Sequence, residues 1–178
     1  KQKTAYEIYQ CDWSSDVCSS DLPDEKFLFV SNEDTGTATA IDVSTGTTTA
    51  TLVTGIEPEG VSISPDGRWV YVTAETSNTV TVIDAVKLAV VDTILVGLRP
   101  RDTVFSPDGT TAFVSAEIGR SITVIDVASH KTRGVIDLSP AENVKPVGMA
   151  ITADGSHLYV ANGRANSVTV IEIGRAHV

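Results

Sequence analysis

Short runs in which β-branched and aromatic residues alternate with polar ones recur through most of this chain. Val80-Thr81-Val82-Ile83 and Val168-Thr169-Val170-Ile171 alternate valine with threonine before a closing isoleucine, the period-two pattern of a pleated strand. Turn residues separate the runs. Ser64-Pro65-Asp66-Gly67 and Ser106-Pro107-Asp108-Gly109 suit type I turns, with proline setting φ and glycine taking the left-handed position. The pattern predicts strands near 27–32, 37–42 and 48–53, then 59–64, 69–74, 79–84 and 89–96. Further strands are predicted near 101–106, 111–116, 121–126 and 132–137, and finally 147–152, 157–162 and 167–171, with little or no helix.

Most of these signals return at a fixed interval. Pro58 recurs as Pro100, Pro65 as Pro107, Gly67 as Gly109 and Glu75 as Glu117, and Asp42, Asp84 and Asp126 continue the spacing of 42 residues. The next unit is longer by four residues: Pro100 is followed by Pro146 and Gly109 by Gly155, with the surplus in a loop over 137–145. A repeat of about 40–45 residues holding four strands is the mark of a β-propeller blade. The predicted fold is therefore all-β, an incomplete propeller of four-stranded antiparallel blades. Blades fall near 23–55, 56–97, 98–139 and 140–171, the first and last with three strands each. Pro23–Asn32 matches 65–74, with Glu25 where Gly67 stands.

Both ends fall outside the repeat. Reading Ile173–Val178 (IGRAHV) as ATC GGA AGA GCA CAC GTC gives a reverse complement that translates as DVCSSD, the sequence of Asp16–Asp21. One short DNA element read on opposite strands accounts for both stretches, as a translated sequencing-library adapter would. Residues 1–22 and 172–178 are accordingly set aside as non-native, leaving 23–171. Cys11 and Cys18 fall in the excluded part, so cysteine content carries no information on redox compartment. Residues 23–171 hold 18 acidic and 10 basic side chains. That balance argues against a nucleic-acid groove or an anionic membrane surface. No apolar run approaches the ~20 residues of a membrane helix.

Repeats of the form P-x-G…SPDG…YV…N-x-V-x-VID resemble YVTN-type β-propellers, whose motif Tyr71-Val72-Thr73-Ala74 and Tyr159-Val160-Ala161-Asn162 nearly reproduce. The ordered segments IEPEGVSISPDGRWV, RPRDTVFSPDG, VSAEIG.SITVIDVA and KPVGMAIT.DG are similar to the PQQ-dependent catabolism-associated branch. The resemblance implies seven blades, of which about three and a half are present. It also implies an extracytoplasmic, periplasmic-type protein accompanying PQQ-dependent oxidation of alcohols or related compounds. Its role there would be binding or scaffolding, with a quinoprotein dehydrogenase, c-type cytochrome or transporter component as partner. No residue implies PQQ ligation, so no cofactor is expected. Three other readings stand beside it: a propeller lactonase, a haem propeller of the nitrite-reductase type, and a surface or adhesion protein.

A propeller binds at the mouth of its channel, and two sets of repeated charges are candidates for that place. The first is Glu33, Glu75 and Glu117, each just after the second strand of its blade. A carboxylate ring could hold a cation or amine, while solvated loop acids ordering their own turns are the plainer expectation. The second set flanks the prolines: Glu57 and Glu59, Arg99 and Arg101, then Lys145. Guanidinium groups there could take a carboxylate, phosphate or acidic partner; alternatively they pair between blades, Glu57 towards Arg99 and Glu59 towards Arg101. No catalytic residue and no metal ligand is assigned, since C-x-x-C-H, H-E-x-x-H, P-loop and G-x-S-x-G patterns are all missing from the sequence. His130 and His157 read as surface or edge residues. Asp42, Asp84 and Asp126 read as turn carboxylates accepting local N–H groups, and Trp69 and Phe113 as inter-blade packing.

Overall fold

The computed structural model describes residues 19–22 and 26–174. The expectations for 1–18, 23–25 and 175–178 lie outside the described residues. Among the described residues, fifteen strands form four antiparallel sheets in chain order, an open array of blades that does not close into a full propeller. The first blade contains β1 (Ser19–Asp21), β2 (Phe27–Asn32), β3 (Thr37–Asp42) and β4 (Thr47–Val53). The second contains β5 (Pro58–Ile63), β6 (Trp69–Ala74), β7 (Thr79–Asp84) and β8 (Ala89–Leu95). The third contains β9 (Pro100–Phe105), β10 (Thr111–Ala116), β11 (Ser121–Asp126) and β12 (Lys131–Asp137), and the last β13 (Pro146–Ile151), β14 (His157–Asn162) and β15 (Ser167–Glu172). A single 3₁₀ turn, Glu33–Thr35, is the one helical element among the described residues.

Two corrections follow. The first blade has a fourth strand, because Ser19–Asp21 pairs antiparallel with Leu28–Val30. The first strand of each later blade begins one residue earlier than expected, at its proline. Pro58, Pro100 and Pro146 pair with Ala74, Ala116 and Asn162 ahead of a register shift. A proline lacks the N–H a regular ladder needs, so it is accommodated at the strand start beside a bulge.

Alternation along each strand turns successive side chains to opposite neighbours, which is why the middle strands are apolar on both faces. Val70 and Val72 pack with Phe29, Ala38 and Ala40 of the first blade, while Tyr71 between them packs with Phe105, Ala112 and Val114 of the third. Phe113 turns to Leu158 and Val160 of the fourth. Trp69 packs against the second–third boundary, so both aromatics pack between blades.

The turns follow the expected chemistry. Gly67, Gly109 and Gly155 have φ of 70, 70 and 71°, and each closes its turn by donating its N–H to Ser64, Ser106 or Thr152 O. The Ser64, Ser106 and Thr152 hydroxyls each donate to the turn aspartate, and this hydrogen bond holds Asp66, Asp108 and Asp154 below the usual carboxylate range. Asp42, Asp84 and Asp126 accept backbone N–H groups two to three residues on. The loop 138–145 is less exposed than its polarity suggests. Leu138 and Val144 are buried against the fourth blade, and Arg120 Nη2 donates to the Ser139 and Ala141 carbonyls.

Candidate functional site

First strands of neighbouring blades lie close together while fourth strands diverge, so the first strands line the axis. At one end, the loop entering each first strand is tied to the hairpin joining the second and third. Glu75 N–H donates to Glu57 O, Glu117 N–H to Arg99 O and Gly163 N–H to Lys145 O, at 2.8 to 2.9 Å. These bonds set the two families of repeated charges side by side. They also hold Glu57 and Arg99 in the left-handed region, at φ 56 and 57°, an uncommon conformation for a non-glycine residue.

Most of the two sets join in one cluster. Arg101 Nη1 bonds Glu75 Oε1 and its Nη2 lies 2.9 Å from Glu59 Oε1. Arg99 Nε donates to Glu75 Oε2 at 2.6 Å and lies 3.5 Å from Glu117 Oε2. Lys145 Nζ stands 3.9 Å from Glu117 Oε1. Three carboxylates thus face three cations across the second, third and fourth blades, and their charges balance. Burial is graded, with the Glu75 side chain 9% exposed, Arg101 20% and Arg99 43%. Glu75 is therefore not a solvated loop acid; it is the buried centre of the cluster.

The remaining candidates stand apart. Glu57 is exposed and accepts the Thr76 hydroxyl, and no ion pair joins it to Arg99. Glu33 begins the 3₁₀ turn of the first blade. Among the described residues, no group of three or more His, Cys, Asp or Glu could hold a metal ion. The same end carries exposed aliphatics beside the charges: Ile56, Leu98 and Ile118 are 61, 55 and 53% exposed. The cluster can grip anionic groups through Arg99 at its edge, and the aliphatics can bury apolar surface.

Sequence reasoning missed three features. A hydroxyl recurs at Ser31, Thr73 and Ser115, the same interval as the glutamates, and each donates to a carbonyl of the next blade's first strand: Glu59, Arg101 and Val147 O at 2.8, 3.2 and 2.7 Å. The repeat alone was a signal for these. His130, expected at the surface or an edge, is half-buried. Its Nδ1 lies 2.9 Å from Tyr71 OH and its ring stands edge-on to Trp69 at 4.6 Å, bridging the second and third blades. Burial holds its pKa below the usual histidine value. Asp102, on the axis-lining β9, accepts Met149 N–H at 2.8 Å. At the opposite end, an open cleft of about 400 Å³ between the third and fourth blades is lined by Phe113, Val124, Ile136, Ile171 and Arg133. It lies away from the charge cluster, at a boundary where Thr111 stands in the register position of Trp69.

No curated protein matches the chain. Among solved structures, a chain of Kuenenia stuttgartiensis hydrazine synthase superposes with a TM-score of 0.80 at 28% identity, covering 87% of this chain and 45% of that one. A functionally unknown protein from Desulfotomaculum acetoxidans DSM 771 superposes at 0.69 and 20% identity, covering 86% and 54%; at that identity the likeness concerns the fold alone. The chain spans about half the length of these solved chains. Residues 24–145 match the family model of YNCE-like β-propellers, and the chain belongs to that family.

Proposed function

We propose that this propeller segment serves as a docking scaffold in PQQ-dependent oxidation of alcohols or related compounds, outside the cytoplasm, with a quinoprotein dehydrogenase or c-type cytochrome as partner. The observation that carries the binding role is the composition of one end: a charge-balanced, partly buried ionic cluster flanked by exposed Ile56, Leu98 and Ile118. Protein interfaces combine apolar anchors with a polar surround in this way, and arginine is enriched among their energetic centres. A cluster whose charges already balance brings no unpaired charge into an interface, which limits the desolvation cost of docking. The PQQ association rests on the ordered segments from Ile56 to Gly155.

The test is direct binding between the chain and a purified quinoprotein dehydrogenase, by calorimetry at moderate salt. Binding that weakens at least about ten-fold in Leu98→Asp and in Arg99→Glu supports docking at this end. Equal affinity in both variants, or no binding at all, contradicts it. Metal-dependent hydrolysis of a sugar lactone by the chain would favour the lactonase reading instead.

A further inference from the structure

The axis-lining strand of the third blade carries a carboxylate where its neighbours carry glycine. Gly60 and Gly148 hold the position of Asp102, two residues after the repeated proline. At the second–third boundary that position is closed, since a Cβ on Gly60 would lie 2.5 Å from the Arg101 carbonyl oxygen. At the third–fourth boundary the Asp102 side chain is inserted. Its Oδ2 accepts Met149 N–H at 2.8 Å. Its own N–H donates to Ser115 Oγ at 3.1 Å, and that hydroxyl donates to Val147 O at 2.7 Å. One carboxylate and one hydroxyl therefore join β9 and β10 to β13, the strand entered from the lengthened loop 138–145.

The charged groups on the elements packed around Asp102 are Glu59 on β5, Arg101 on its own strand, Glu117 after β10 and Lys145 before β13. All four are engaged with one another or with Glu75 in the mouth cluster. Burial pushes the Asp102 carboxyl up to about 6, against the opposing hydrogen bonds from Met149 and Thr103 N–H. An ionised carboxylate in such a place favours opening to water, and a neutral one favours staying enclosed.

We propose that Asp102 makes the joint between the third and fourth blades proton-operated, closed when the carboxyl is neutral and loosened when it ionises. The joint lies beneath Lys145, so loosening it moves one cation of the mouth cluster, though the proposal does not depend on what docks there. The sign follows from linkage. The folded value stands above the ordinary 3.8, so stability from this group is fully present below that value and is lost as pH rises through about 6. The lowered pKa of His130 acts with the opposite sign, weakening the fold as pH falls below about 6.5, so the comparison must be made between variants.

The test is urea unfolding of the full 178-residue chain from pH 5 to 7.5, with amide exchange over 146–151 read by mass spectrometry. Asp102→Asn keeps the acceptor for Met149 N–H and removes the charge. It should raise the folded-to-unfolded ratio relative to the parent at both ends of this range, and by roughly ten-fold more at pH 7 than at pH 5. Exchange over 146–151 at pH 7 should slow by a similar factor. Asp102→Gly, which restores the residue of the neighbouring blades, should likewise abolish the difference between pH 5 and pH 7 in that segment. An unchanged pH profile in both variants, or unchanged exchange over 146–151, overturns the proposal.

Discussion

Arg101 and Glu75 meet across the boundary of the second and third blades, the guanidinium Nη1 bonding a carboxylate that is only 9% exposed. Glu59 takes the other arm of the same guanidinium. Arg99, two residues earlier, reaches the same Glu75 from a half-exposed position. Two arginines share one partner, yet their burial predicts different energetic weight. Arg101→Ala should cost about 3 kcal/mol, since it removes the more buried of the two partners of Glu75 and the cation bonded to Glu59. Arg99→Ala should cost less than about 1 kcal/mol, as exposed pairs do. Urea unfolding of the two variants checks the contrast.

Gly60 and Gly148 occupy equivalent places but differ in their surroundings. A Cβ at Gly60 meets the Arg101 carbonyl at 2.5 Å and Thr73 Oγ1 at 3.0 Å, whereas one at Gly148 meets nothing within 4 Å. Gly60→Ala is expected to destabilise by about 2 kcal/mol, because backbone must move to admit it. Gly148→Ala should stay within about 0.5 kcal/mol of the parent. Thermal unfolding of both variants suffices.

Ser115 is fully buried, accepting Asp102 N–H and donating to Val147 O. Ser115→Ala leaves two buried backbone groups without that partner, at a cost of about 1–3 kcal/mol. Hydrogen exchange should report the loss first at the Asp102 amide.

His130 is held below its ordinary value by burial, so it stays neutral in the fold while the unfolded chain takes up a proton near pH 6.5. The unfolded state then binds more protons, and this contribution to stability falls as pH drops below about 6.5. The backbone at His130 is left-handed, φ 54°, which asparagine tolerates. His130→Asn should therefore fold, lose about 1 kcal/mol near neutral pH through the Tyr71 contact, and flatten the acid limb between pH 6.5 and 5. An acid limb identical to the parent's would exclude this source.

The last sheet leaves Tyr159, Val168 and Val170 exposed at 42, 59 and 54% on one face. Such a patch beside an open sheet edge promotes association. The chain is expected to self-associate at micromolar concentration, and Val168→Lys with Val170→Lys to reduce it. Light scattering after size exclusion distinguishes the two.

Much of the fold was legible because each blade restates it. The SPDG turns, the valine–threonine alternation and the 42-residue interval are local signals, and neighbouring units agree on them. The mouth cluster was legible only as two separate charge families. Joining them required knowing that Glu75 N–H bonds Glu57 O, a contact between a loop and a hairpin 18 residues apart. His130 was misread because its turn is polar in sequence, while its burial comes from Tyr71 and Trp69, some 60 residues earlier. Asp102 was passed over because nothing in one unit marks a glycine position as sterically closed. That information lies in the Arg101 carbonyl of the next blade.

The inter-blade cluster is tested most directly by a double-mutant cycle on Glu75 and Arg101, using Glu75→Gln, Arg101→Met and the pair in urea unfolding. Contact between the two charges should give a coupling energy of about 1.5 kcal/mol or more, with the double variant less destabilised than the sum of the singles. Additive effects within about 0.5 kcal/mol would mean that the two charges do not meet across the blades.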